Sequence, residues 1–241
     1  FVMFAASLVL SVSMAACAIA GASEEYPSTK IRYKMTVEVD TPEGVKTGSA
    51  VREISMVSRP KRMGEMNDTH VKLEKGEAVV IDLGQRGVLF ALMGIGDHAI
   101  QAFFNAIPSG CPEGAVSRCS IRYYKSLSKS ATSKLAEKNY PMLVTFKNRY
   151  DLNSLAVASK YESEDMPDGY GGVAHSLTSL FGNGVKISSI IIELTDQEPE
   201  FIIDQWLPWL SQIGGKYLHG GAALKGAPYS LHGGNFQVRG N

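Results

Sequence analysis

Ile31, Tyr33, Met35, Val37 and Val39 alternate with Arg32, Lys34, Thr36, Glu38 and Asp40. A period of two held over this stretch predicts a strand with one buried and one wet face. Thr41-Pro42-Glu43-Gly44 follows as a turn, with Pro presetting its dihedral and Gly relieving the exit. A second strand is expected from Val45 to Met56. Its apolar phase changes between Val51 and Ile54, which predicts a bulge. Ala78 to Leu83 and Val88 to Met93 flank Gly84-Gln85-Arg86-Gly87 as a further hairpin, and Val71-Lys72-Leu73 adds a short piece before Gly76. The first third therefore reads as an antiparallel meander.

The period then changes. After Asp97, a candidate N-cap, Ile100, Phe103, Phe104 and Ile107 fall at helical spacing until Pro108. A second helix is expected from about Ser120 to Lys138, with Tyr124, Leu127, Ala131 and Leu135 as its apolar stripe. Arg118, Arg122, Lys125 and Lys129 lie on roughly the opposite face. Pro141 to Phe146 reads as a strand, and short helices are expected from Ser154 and from Ala174 to Phe181. Asp165 to Gly172 reads as a loop and Gly182-Asn183-Gly184 as a turn. Val185 to Leu194, with Ile190, Ile191 and Ile192 in a row, predicts a strand buried on both faces. Glu198 to Trp206 reads as a helix interrupted by Pro208, and the Gly-rich stretch beyond Gly214 as irregular or mobile. Strands first, then helices mixed with strands, predict an α+β fold: an antiparallel β-meander on the N-terminal side packed with several α-helices as a single domain.

The opening run from Phe1 to Ala16 carries no charge, and Met14-Ala15-Ala16-Cys17 matches a bacterial lipobox. Such a run suits a signal-peptide core and falls short of the roughly 20 residues that a bilayer span needs. The usual basic start is missing and residue 1 is Phe, so the chain reads as truncated at this end. The organisation expected is a signal peptide over 1–16, a flexible tether over 17–29 and the α+β domain over 30–241. In the leading reading a lipoprotein signal peptidase cuts before Cys17, which is then acylated. The alternatives are ordinary cleavage after Ala18-Ile19-Ala20 or Ala20-Gly21-Ala22, and a buried N-terminal helix. If Cys17 carries lipid, Cys111 and Cys119 remain as a pair around Pro112-Glu113-Gly114, and no odd thiol is left in an oxidising compartment. A disulfide closing so short a loop contributes on the order of 2.5 kcal/mol. Buried unpaired thiols and, more remotely, metal ligands are the alternatives; a zinc site wants a further Cys or His at short spacing, and that loop has none.

Formal net charge is zero, which argues against nucleic acid as a partner, since phosphate binding needs a basic excess. The charge is unevenly spread. Between Cys111 and Arg149 there are eight basic residues against Glu113 and Glu137; between Asp151 and Asp204 there are ten acidic residues against Lys160 and Lys186. The basic stripe Arg118, Arg122, Lys125 and Lys129 reads as a solvated face. Its sharper readings are contact with anionic lipid head groups and pairing with the acidic second half. His70, His98, His175, His219 and His232 are scattered away from metal-ligand spacing, and no nucleophile elbow or phosphate-cradling loop occurs. Glu193, Asp196 and Glu198 read as solvated turn carboxylates, a calcium-binding or catalytic group being the alternative. Trp206 and Trp209 read as core, or as the wall of a ligand groove.

Five short segments resemble an uncharacterised family of exported proteobacterial proteins: Thr41-Pro42-Glu43-Gly44-Val45, Gly76 to Gly84, Leu143-Val144-Thr145-Phe146, Phe181-Gly182-Asn183-Gly184-Val185 and Leu207-Pro208-Trp209-Leu210. The resemblance implies a single envelope domain and brings no chemistry with it. The function expected is a periplasm-facing envelope lipoprotein that acts as a binding or scaffolding module, without metal or cofactor and leaning away from an enzyme. Its expected partners are the membrane through the lipid anchor, and an envelope protein or anionic head groups. A periplasmic hydrolase with a site assembled from distant residues, and a soluble periplasmic binder of a small ligand, are the alternatives.

Overall fold

The computed structural model describes residues 27–58, 69–94, 97–109, 111, 117–158, 166–167, 173–214, 218 and 231–240. In chain order these form β1 (Ser28–Asp40), β2 (Lys46–Ser58), β3 (Thr69–Glu77), β4 (Val79–Asp82), β5 (Val88–Ala91), α1 (His98–Phe103), α2 (Arg118–Ser126), β6 (Thr132–Lys134), β7 (Leu143–Phe146) and β8 (Leu155–Ala158). There follow β9 (Met166–Pro167), β10 (Val173–His175), α3 (Leu177–Phe181), β11 (Lys186–Leu194), α4 (Ile203–Trp206), α5 (Leu210–Ile213) and β12 (Gln237–Val238). Two six-stranded sheets result, ordered β12-β3-β2-β1-β11-β6 and β4-β5-β7-β8-β10-β9. The first is antiparallel throughout, and the second has one parallel pair, β8 with β10.

The alternating strand is the plainest link between sequence and fold. Tyr33, Met35, Val37 and Val39 of β1 are fully buried, and they face Ile190, Ile192 and Leu194 of β11 across the sheet. Their opposite face carries Arg32 and Lys34, paired to Glu53 and Glu193. The second sheet behaves differently. Every residue of β7 and β8 is buried. Leu143 and Ala158 join the core between the sheets, whereas Val144, Phe146, Leu155 and Val157 join a second core on the far side. That second core is closed by Ile203 and Leu207, by Leu210, and by Leu218, Leu231 and Phe236 from beyond Gly214. Strands covered on both faces read as continuous apolar runs rather than alternations. The layers are thus the first sheet, the second sheet and a short-helix cap.

The sheets close on each other where β2 passes β4. A Cβ on Gly48 would lie 2.1 Å from the Val80 carbonyl oxygen, so only glycine lets the two backbones come this near.

The α+β expectation is overturned: the described residues are mostly β-sheet, with two sheets and five short α-helices among them. The helix expected over 120–138 stops at Ser126. Ser126 donates its hydroxyl to the Tyr123 carbonyl, and a turn follows through Ser128 and Ala131. Serine hydroxyls offer the backbone partners outside the helix ladder. Thr132–Lys134 then pairs with β11 as an edge strand. The helix expected from Ser154 is strand β8, and the one expected from Ala174 begins only at Leu177, after β10. The helix expected over 198–206 is reduced to α4, Pro199 disfavouring helical backbone at Glu198. Of the meander, β1 and β2 lie close to the expected ranges, β3 extends the expected short piece Val71-Lys72-Leu73 to Thr69–Glu77, and β4 and β5 belong to the other sheet. Ile191, expected to be buried, is half-exposed on the outer face of β11.

Candidate functional site

Arg52 is fully buried between the sheets. It sits directly opposite Tyr33 in the unbroken register of β1 with β2, so the two side chains enter the same interior space. On its other flank lies Gly76 (φ +144°), where a Cβ would stand 2.8 Å from the Arg52 Cγ. The guanidinium donates from Nε to the Glu77 carbonyl and from Nη2 to the Ala91 carbonyl, both at 3.1 Å. It therefore ties β2 to the crossover between the sheets and to β5. The Arg52 guanidinium and the Tyr33 hydroxyl lie close enough to interact as a side-chain hydrogen bond, while among the described residues His98 Nδ1 and Gln101 Oε1 are buried without a partner.

Electrostatics reflect the confinement. Burial pushes the Arg52 guanidinium below its usual range, opposed by Tyr33 and Glu77 nearby. Burial raises the Tyr33 phenol against the pull of Arg52. His98, at the start of α1, is brought down to about 3, first by burial and then by the positive Arg52. It is a neutral imidazole at physiological pH. Asp97 beside it accepts from Gln101 Nε2 at 2.5 Å, and burial raises its carboxyl.

Glu77, at the end of β3, turns its carboxylate the other way. It accepts from the backbone N–H of Ile202 (2.9 Å) and Ile203 (3.1 Å), fixing the entry to α4. Burial raises its carboxyl although both N–H groups pull it down. A groove of about 470 Å³ beside it carries Glu198 and Glu200 as well.

A second feature lies where β1 begins. A groove of about 380 Å³ runs between Thr29 and Lys30 of β1, the end of β11, and α2 with the loop after it. Ile31, Tyr124 and Leu127 supply apolar wall, and Lys30, Lys125 and Lys129 stand exposed around it. α2 is started by a capping box in which the Ser117 hydroxyl accepts from Ser120 N–H and the Ser120 hydroxyl accepts from Ser117 N–H. Arg32 pairs with Glu53 and Glu198, each at 2.7 Å; Lys129 pairs with Asp196 at 2.8 Å. No family model, curated protein or solved structure matches the chain.

The residues singled out from sequence are thus distributed. Arg122 and Lys125 are exposed on α2, and Lys129 lies beyond its end. The Arg118 side chain and Cys17 lie outside the described residues. Cys111 and Cys119 stand at disulfide distance, with Cα atoms 5.5 Å apart. Trp209 packs edge-on to Phe146 and Phe236 and donates its indole N–H to the Arg149 carbonyl; Trp206 lies under the Arg149 guanidinium. Both belong to the cap over the second sheet. Among the described residues, no three His, Cys, Asp or Glu side chains gather as metal ligands, and no helix is long and apolar enough to cross a membrane. Arg52 and Tyr33 were missed as site residues. The signal was present: Ala50, Ile54 and Met56 share one face of β2, and Arg52 has the same parity.

Proposed function

We propose that this chain is an envelope lipoprotein facing the periplasm, held by an acylated Cys17 and acting as a binding module that rests its basic end on anionic lipid head groups. The observation that carries the reading is the position of the exposed lysines Lys30, Lys125 and Lys129 around the first residues of β1. Residues 18–27 separate Cys17 from β1, and even fully extended they reach only ~35 Å. The basic groove is thereby kept near the bilayer. Surface ion pairs such as Lys129–Asp196 contribute about 0–1 kcal/mol, so they yield readily to phosphate partners. Export of the leader, membership of the exported family and oxidation of the Cys111–Cys119 pair belong to the same proposal.

Vesicle sedimentation tests the docking. The chain without its leader, carrying Cys17→Ser, is expected to bind phosphatidylglycerol-containing vesicles more strongly than phosphatidylcholine vesicles. Lys30→Glu, Lys125→Glu and Lys129→Glu together should weaken that binding more than a hundredfold, since loss of the three positive charges alone costs about 1 kcal/mol each near the surface. Binding that ignores both the lipid charge and the substitutions contradicts the proposal.

A further inference from the structure

Thr145 of β7 and Ala156 of β8 lie directly opposite each other in the hairpin register. Each is two residues from Leu143 or Ala158, so the pair shares the face that those residues turn to the core between the sheets. Neither side chain is large. Beside them lies a cleft of about 670 Å³, bounded by Ser179, Leu180 and Phe181 of α3 and by Arg86 of the turn before β5. That volume falls within the roughly 300–1,000 Å³ of small-molecule sites. Arg86 also fixes its place in the fold, because its guanidinium grips both carboxylate oxygens of Glu43 in the turn after β1, at 2.7 and 2.8 Å. The lysine groove lies at the opposite end of β1, and the two share no described lining residue.

The hydroxyls of Thr145, Ser154 and Ser179 line the cleft, and each spends its one proton on a backbone carbonyl: Val88 (2.7 Å), Asp151 (2.7 Å) and Ser176 (2.8 Å) respectively. What remains on each oxygen is acceptor capacity, so a complementary guest brings O–H donors. The charge points the same way to one class. Arg86 is neutralised by Glu43, and no carboxylate lines the cleft among the described residues. Lys147 stands exposed in the lining without an ion-pair partner among the described residues. An amine would meet Lys147 with like charge, a neutral sugar would leave it unmatched, and a purely apolar acid would leave the hydroxyl oxygens without donors. Leu155, Ala156 and Leu180 add apolar surface suited to the C–H face of a sugar ring.

We propose that this cleft binds a sugar acid of monosaccharide size, its carboxylate held by Lys147 and its hydroxyls donating to Thr145, Ser154 and Ser179. The proposal goes beyond lipid docking and does not rest on it, since the docking lysines stand at the other end of β1. It gives the module a soluble ligand at the end away from those lysines.

Isothermal titration calorimetry on the chain without its leader, carrying Cys17→Ser and with no lipid present, provides the test. Glucuronate at pH 7 is the probe, and saturable one-to-one binding is expected. Acetate, which keeps the carboxylate without the hydroxyls, and glucose, which keeps the hydroxyls without the charge, should each bind at least tenfold more weakly. Lys147→Met should weaken glucuronate at least tenfold and leave the melting temperature of the ligand-free chain unchanged. Ser179→Ala, which removes one acceptor, should weaken it severalfold. Absence of glucuronate binding, acetate or glucose binding as tightly as glucuronate, or a Lys147→Met variant that binds like the parent overturns the proposal. Tighter binding of glucose 6-phosphate assigns the cleft to sugar phosphates and overturns the carboxylate.

Discussion

Arg52 shows how one side chain can mislead a periodicity. Read as polar and therefore outward, it makes the apolar phase of β2 seem to jump between Val51 and Ile54. In the fold the inward phase runs without a break through Ala50, Arg52, Ile54 and Met56. The register with β1 is equally continuous, and the irregularity lies on the β3 side at Glu53/Ile54. The bulge was legible; its cause was not, because the parity that Arg52 shares with Ala50, Ile54 and Met56 was outweighed by the expectation that a charge faces water. His98 offers a test at this scale. Its folded value is about 3 against an ordinary 6.5. Between those values the unfolded chain takes up a proton that the folded chain refuses, so stability falls as pH drops through the window. His98→Gln removes that uptake. Denaturant unfolding should show the parent losing about 2 kcal/mol more than the variant between pH 7 and pH 5; equal losses would mean that His98 is not held neutral.

At the scale of elements, legibility follows exposure. β1 was readable because one face meets water, whereas Leu155-Ala156-Val157-Ala158, covered on both faces, has no period to distinguish strand from helix. α2 was overextended because Leu127, Ala131 and Leu135 do turn inward, yet from a turn and an edge strand rather than from a helix. Gly48 was silent in sequence, since its constraint comes from a carbonyl thirty-two residues away on β4. Gly48→Ala should destabilise by about 3 kcal/mol through forced separation of β2 from β4. The exposed neighbour Ser49→Ala should stay within about 0.5 kcal/mol in the same unfolding measurement. The cysteine pair was legible from parity and spacing. Cys111→Ser with Cys119→Ser should lower stability by about 2–3 kcal/mol, and reduction of the parent by dithiothreitol should reproduce the loss; reduction without effect would contradict a closed loop.

At the scale of the whole molecule, the described residues form two sheets with a cap, and the two candidate sites lie in different places. The interior cluster sits between the sheets, while the basic groove opens at the start of β1. Neither was readable as a site. The first is assembled across three elements, and the second joins Lys30 to residues almost a hundred positions later. The stripe Arg118, Arg122, Lys125 and Lys129 did contain half of the groove's charge, so the basic character was visible before its location was. The proposed lipid docking depends on acylation of Cys17. The intact mass of the chain recovered from an envelope fraction tests it most directly. An N-terminal Cys17 bearing a diacylglycerol and an amide-linked acyl chain is the expected result. A recovered chain with an unmodified Cys17, or with residues 1–16 still attached, would contradict it.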